Sequence, residues 1–257
     1  MRRHAFVTGA GTGIGKAIAL GLASAGHAVS LAGRRAAPLE AVAAEIAAQG
    51  GEALALAGFD VTDKASVDAG VGRAVERFGD IAVLVNCAGE APSAPFERTG
   101  LDIWNRVIAI NLTGALLTTQ ATLASIRRAG SGRIVNIAST AGLIGYAYVT
   151  AYCASKHGLV GLTRALALEL ASSDVTVNAV CPGFTDTPLL DAAAATIADK
   201  TGRSADDARA RLARGNPQGK LVAPREVAHA VLWLASPEAA SITGQAIAVA
   251  GGEVMTG

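Results

Sequence analysis

The chain has 257 residues, 51% of them hydrophobic and only 4% aromatic, with a formal net charge of +1 at pH 7. That length allows one large domain or two small ones with ample material for a core. The near-neutral balance and scarcity of rings argue against a nucleic-acid binder, which needs a basic face and stacking aromatics, and no apolar run reaches the ~18 residues of a membrane span. Cys87, Cys153 and Cys181 are odd in number and widely spaced, without a Cys-x-x-Cys. Neither a metal site nor a disulfide framework is therefore expected, and reduced thiols suit the cytoplasm. The opening Met-Arg-Arg-His passes straight into Ala5–Gly9, with no apolar signal region and cleavage site of the secretory kind.

Strand-like and helix-like runs alternate along the chain. Strand character over Ala5–Thr8 is followed by a helix over Lys16–Ala25, a strand over Ala28–Ala32 and an alanine-rich helix over Pro38–Gln49. Then come a strand over Ala53–Phe59, a helix over Ser66–Phe78, a strand over Ile81–Val85 and a longer helix over Ile103–Arg128. Arg133–Ile137 reads as a strand, 151–172 as a helix and Val175–Val180 as a strand. Helix Glu226–Leu234 and strand Ala246–Val249 finish the series. Near-continuous apolar strands separated by helices predict a parallel sheet covered on both faces. The expected fold is α/β: a single doubly wound Rossmann-type domain with a seven-stranded parallel sheet and helices on both faces. The stretch 184–220 interrupts the alternation. Leu189–Ala213 is helical in composition but carries Asp199, Lys200, Gly202 and Arg203, and ligands of such sheets bind beyond the strands' carboxyl ends. This insertion is expected to be a lid over the substrate.

Thr8-Gly9-Ala10-Gly11-Thr12-Gly13-Ile14-Gly15 joins the first strand to the first helix. Glycines there permit a tight turn and close approach of a pyrophosphate, and the helix N-terminus offers unpaired N–H groups to an anion. The run is not a P-loop, and it departs from G-x-G-x-x-G because Lys16 stands at the third glycine position. The second strand ends Gly33-Arg34-Arg35, where an NAD site wants an acid for the ribose hydroxyl. Guanidinium suits a 2′-phosphate by charge and fork geometry. NADP is therefore favoured, with NAD as the alternative if Arg34 and Arg35 are simply solvated loop charges.

Tyr152 and Lys156 are four residues apart, which stacks them on one helix face. A phenol titrates near pH ~10, and an adjacent cation lowers such a value. The pair reads as a proton-transfer device tuned towards neutrality. Taken alone, a Tyr-x-x-x-Lys also describes a half-buried ring beside a solvated amine. Trp104 and Trp233 read as packing anchors, and His4 and His27 show no partner pattern. Tyr146 and Tyr148 lie in the loop before Tyr152, and one of them is a candidate substrate contact.

Together these motifs make the chain resemble a short-chain dehydrogenase/reductase, of the standard ~250-residue, ketoreductase-like type, over its whole length. T-G-A-G-T-G-I-G at 8–15, Asp60-Val61, N-C-A-G at 86–89, Asn111, Ser139, Y-C-A-S-K at 152–156 and P-G-F-T-D-T at 182–187 carry the likeness. The resemblance implies that Gly9, Thr12, Gly13, Ile14 and Gly15 cradle the pyrophosphate and that Asp60 and Val61 flank the adenine. It implies that Asn86, Ala88 and Gly89 line the cofactor groove. Pro182, Gly183, Thr185 and Thr187 would border the nicotinamide. Asn111, Ser139, Tyr152 and Lys156 would form the catalytic set: Ser139 on the substrate carbonyl, Tyr152 moving the proton, Asn111 holding a water next to Lys156. Tyr152 and Lys156 would also touch the cofactor. Two residues depart from the family pattern. Cys87 stands where a second Asn is usual, and Thr12 where many NADP-using members have a basic residue.

The implied activity is hydride transfer between NADP and a ketone or secondary alcohol, with a 3-oxoacyl thioester or polyketide-like ketone as the favoured small-molecule substrate. An NAD-linked dehydrogenase of a hydroxyacyl-CoA or cyclic alcohol is the second reading, and a cofactor-binding regulator without turnover is the third. The resemblance also implies a homotetramer, with helices near 103–128 and 151–172 meeting their mates and the C-terminal Ala246–Gly257 region meeting another subunit.

Overall fold

The computed structural model describes residues 2–202 and 204–255; Met1, Arg203, Thr256 and Gly257, which the sequence reading touched, lie outside the described residues. The strands are β1 (His4–Thr8), β2 (Ala28–Gly33), β3 (Glu52–Ala57), β4 (Ile81–Asn86), β5 (Arg133–Ile137), β6 (Thr176–Pro182) and β7 (Ala246–Val249). They form one parallel seven-stranded sheet in the order β3-β2-β1-β4-β5-β6-β7. Every residue of β1, β4, β5 and β6 is buried. That explains why these strands read as unbroken apolar runs: a parallel sheet's central strands meet helices on both sides.

On one face lie α1 (Gly13–Ser24), α2 (Ala36–Ala48) and α9 (Pro224–Ala235). Ile18 and Leu22 from α1 meet Val227 and Val231 from α9 over Val7 and Val83 of the sheet. The opposite face carries α3 (Lys64–Phe78), α4 (Leu101–Ile108), α5 (Gly114–Arg128) and α6 (Thr150–Glu169). There Val67, Val71, Ile126 and Ala167 pack on Phe6, Leu84 and Ile134. The strand order reverses between β1 and β4, which opens a crevice at their carboxyl ends.

The helical stretch predicted over Leu189–Ala213 is two helices, α7 (Pro188–Thr201) and α8 (Ala205–Ala213). Gly202 ends the first in the left-handed region at φ 69°, and the Ser204 side chain caps the second by accepting from the Asp207 N–H. The helix predicted over Ile103–Arg128 starts two residues earlier and is interrupted by a wide π turn over Ala109–Thr113. The expectation that nothing here could cross a membrane also needs correcting. Taken as one run, Leu101–Arg128 is long and apolar enough by length and composition, with an 18-residue window of mean hydropathy 1.4. It lies against β4 through a buried stripe of Ala115, Thr118, Thr122, Ser125 and Ile126. Trp104 and Trp233 are not packing anchors; they stand 36% and 45% exposed. His4 does have partners, since its ring lies between the Gly79 carbonyl and the Ser30 hydroxyl, both at 2.9 Å.

Candidate active site

A cavity of about 1010 Å³ opens across the carboxyl ends of the sheet. Its floor at one end is the glycine turn. Gly13 sits at φ 53° with Thr187 beside it, so a side chain there would be strained and would press on the threonine methyl. A Cβ on Gly15 would run into the carbonyl of Gly9. Glycine is thus required at both places for the turn to close beneath the first turn of α1. Thr12 occupies the N-cap position of α1 without capping it, so the helix's first N–H groups face the cavity. Across the turn, Thr8 Oγ1 accepts from the N–H groups of Cys87 (2.9 Å) and Ala88 (3.1 Å) and holds β1 and the loop after β4 side by side.

Most of the residues expected at the cofactor line this cavity: Gly9, Thr12, Gly13, Ile14 and Gly15 at the turn; Arg34, Arg35, Asp60 and Val61 beyond it; Ala88 and Gly89; and Pro182, Gly183, Thr185 and Thr187. Asp60 is held below the usual carboxylate range, chiefly by the Thr62 N–H, with the Thr62 hydroxyl and the nearby Arg34 acting the same way. Gly114 lets α5 abut Val61, where any Cβ would collide with the valine. Thr187 caps α7 by accepting from Leu190 N–H. These residues together make a cradle that glycines keep open and helix N–H groups face, and it fits a dinucleotide pyrophosphate.

Asn86 is the exception. It does not line the cavity; its Nδ2 donates to Thr119 Oγ1 (3.1 Å) and to Asn136 Oδ1 (2.9 Å) beneath the sheet. It stands opposite Asn136 at the last paired position of β4 and β5, and it points into the buried polar ladder that continues to Thr163. Asn136 and Thr163 gave no signal in the sequence, because nothing local marks a polar residue as buried.

The proposed catalytic residues converge at the other end. Ser139 follows β5 and accepts from Ala141 N–H at 3.1 Å, which leaves its own hydroxyl proton free to donate. Tyr152 and Lys156 share the first turns of α6, as their spacing requires, with Nζ 5.7 Å from the centre of the phenol ring. Lys156 is buried and donates to the Ile137 carbonyl at 2.7 Å. Asn111 stands inside the π turn, behind the cavity wall. Its Oδ1 accepts from Glu90 N–H, and its Nδ2 donates to the Glu90 carbonyl and to Ser155. A π turn is a common device for aiming one side chain at a site.

The surroundings of the pair act against a tuning of Tyr152 towards neutrality. Burial pushes the Tyr152 phenol up to about 12, and the adjacent Ser139 hydroxyl pulls only partly against it. Burial also brings the Lys156 ammonium down to about 8. Desolvation is the largest cause for both groups, since it penalises the phenolate and the ammonium alike. At neutral pH the tyrosine is a neutral phenol carrying a proton it can give. Cys87 lines the cavity close by, and burial holds its thiol protonated, at about 12.

The sheet, the crevice and this convergence define a dinucleotide-dependent oxidoreductase working at a C=O or CH–OH group. The sequence model of the short chain dehydrogenase family matches residues 3–198, and the chain belongs to that family. It is similar to a putative ketoacyl reductase of Streptomyces coelicolor, 40% identical over 250 residues that cover 96% of this chain and 95% of that one. A cis-4-hydroxycyclohexanecarboxylate dehydrogenase of Sinomonas cyclohexanicum is 42% identical over 251 residues, covering 97% and 96%. Among solved structures, a variant of the actinorhodin polyketide ketoreductase with NADPH superposes with a TM-score of 0.94 at 39% identity, covering 98% of this chain and 97% of that one.

Proposed function

We propose that this protein is an NADP-dependent reductase of a ketone, of the polyketide-like or 3-oxoacyl kind, running the reverse alcohol oxidation less readily. The observation that carries the reading is the convergence of Ser139, Tyr152 and Lys156 on one cavity whose other end is a dinucleotide cradle. When bound, the dinucleotide supplies the hydride and, in its oxidised form, a second positive charge near the phenol. Gly9, Gly13, Ile14 and Gly15 hold its pyrophosphate, Asp60 and Val61 its adenine, and Thr185 and Thr187 its nicotinamide end. Arg34 and Arg35, both exposed on the cavity rim with Gly33 in place of an acid, hold a 2′-phosphate. Ser139 donates to the substrate oxygen as negative charge grows there, and Tyr152 gives that oxygen its proton. Lys156 then stabilises the phenolate left behind, and Asn111 fixes the wall behind Lys156.

The stretch 184–220 acts as the lid of a single domain. It contributes Phe184, Leu189, Ile197, Arg211 and Leu212 to the cavity, and Arg209 of α8 braces it internally through ion pairs to Asp186 and Asp191 of the same stretch. The working assembly is a homotetramer, for which exposed Leu101, Leu116 and Leu168 on α4, α5 and α6 provide apolar contact. Three unbridged thiols suit a cytoplasmic setting. Initial rates on a panel of ketones and alcohols, with NADPH and NADH in parallel, test the reading. Ketone reduction with NADPH preferred is expected, and a preference for NADH would overturn the cofactor assignment.

A further inference from the structure

Tyr146 lies in the loop after β5 and lines the cavity, where its ring meets Phe184 edge to face at 5.9 Å. Its hydroxyl is committed elsewhere, 2.6 Å from Glu253 Oε1 and 2.9 Å from Thr140 Oγ1. A phenol has one proton. The short contact to the carboxylate takes it, so the Thr140 hydroxyl donates to the phenol oxygen. The result is a directed chain, Thr140 to Tyr146 to Glu253, that runs from the residue after Ser139 to the C-terminal segment. Glu253 itself stands behind the wall. Its Oε2 is buried without a partner, beside Gly183, where any Cβ would come within 2.8 Å of it. A buried, unpaired carboxylate oxygen is costly, and here it accompanies an Oε1 that holds the wall of the cavity. Nearby, Tyr148 has a left-handed backbone at φ 67°, and its carbonyl accepts from Ala94 N–H at 2.8 Å, which places a second ring at the mouth.

We propose that Glu253 is a positioning residue for substrate. Acting through Tyr146, it turns an aromatic face rather than a hydroxyl towards the cavity, and holds that face against Phe184 to receive the ring of a cyclic ketone. The inference rests on the ketoreductase reading and names its substrate class. Nothing in the sequence links Glu253 to Tyr146, since the two are 107 positions apart.

The test compares cyclohexanone with ethyl acetoacetate, an open-chain 3-oxo ester, using NADPH and the full-length protein. Glu253→Gln and Tyr146→Phe should each raise the KM for cyclohexanone about tenfold, with kcat falling less than about threefold and NADPH affinity unmoved. The KM for ethyl acetoacetate should change by less than about twofold, and the double variant should be no worse than either single one, because Tyr146→Phe removes the bond and Glu253→Gln weakens that same bond by taking its charge. An unchanged cyclohexanone KM, additive effects, or parallel loss of NADPH binding would overturn the proposal. A second measurement does not depend on turnover. Burial, and then the hydrogen bond to Glu253, hold the Tyr146 phenol above its ordinary value; the Cys153 thiol is the other titratable group acting on it. NMR titration of labelled tyrosine should show this midpoint falling in Glu253→Gln, and no movement would also overturn the proposal. A wild type that reduces neither ketone defeats the ketoreductase reading, and the titration still decides the Glu253–Tyr146 link.

Discussion

The two ends of the cavity are built by different means. The cofactor end is made of backbone: a turn closed by Gly13 and Gly15, helix N–H groups at α1, and a loop after β4 pinned by Thr8. The end proposed for substrate is made of side chains drawn from distant places: Tyr146 and Tyr148 from one loop, Phe184 and α7–α8 from another, with Glu253 of the C-terminal segment behind Tyr146. A backbone site tolerates few substitutions because glycine is the only residue that fits. A side-chain site can be reshaped one residue at a time while the fold stands, which is how one scaffold serves many substrates.

Breaking the chemistry between the two ends should have the largest effect. Tyr152→Phe removes the proton donor and is expected to lower ketone reduction about a thousandfold or more, while fluorescence titration finds NADPH binding intact. Loss of binding in parallel would mean that Tyr152 belongs to the cofactor end. Breaking the backbone end comes next. Gly15→Ala should weaken dinucleotide binding and cost about 1–3 kcal/mol of stability in urea unfolding, because the new methyl meets the Gly9 carbonyl. An unaffected protein would show that the turn is looser than its geometry.

Arg34→Ala with Arg35→Ala should reduce the NADPH-over-NADH preference about 10- to 100-fold, the worth of a charge-assisted hydrogen bond or two. A ratio that stays put would reassign these arginines to solvent. The pH dependence sharpens the middle ground. Burial lowers the Lys156 ammonium to about 8 from an ordinary 10.5. Below that window both states hold the proton; within it only the unfolded chain does, so the Lys156 contribution to folding stability rises with pH from about 8 to 10.5, while the Cys87 thiol, raised from 9.0 to about 12, contributes a fall above about 9. The Lys156→Met protein should lack that rise when unfolding is followed at points across the window. The smallest effect is expected at the lid. Arg209→Ala removes two partly exposed ion pairs and should cost under about 1 kcal/mol of stability, but it should alter KM, since it loosens only the substrate end.

The cofactor end was legible residue by residue because its determinants are local. A strand, a glycine turn and a helix start follow one another in the chain, and Gly9, Thr12, Gly13, Ile14 and Gly15 all line the cavity. The spacing of Tyr152 and Lys156 likewise placed both on one helix face. Asn86 was misread because a polar residue at a strand's end can serve either the cleft or the core, and only its pairing opposite Asn136 decides which. The stretch Leu189–Ala213, helical in composition, forms two helices because Gly202 and Ser204 act as a stop and a start inside it.

By itself, then, the sequence determined the order of elements, the parallel sheet and the stacking of Tyr152 on Lys156, all of which follow from periodicity and short spacings. Tertiary structure alone decided the state of those groups. The four-residue spacing set Tyr152 beside Lys156, and the pocket that holds both then penalises the phenolate and the ammonium alike by burial, raising the phenol and lowering the ammonium. It also decided the substrate wall, where Glu253 reaches Tyr146 from the far end of the chain. Spacing along a chain records neighbours on one element, whereas desolvation and long-range contacts exist only once the elements have packed.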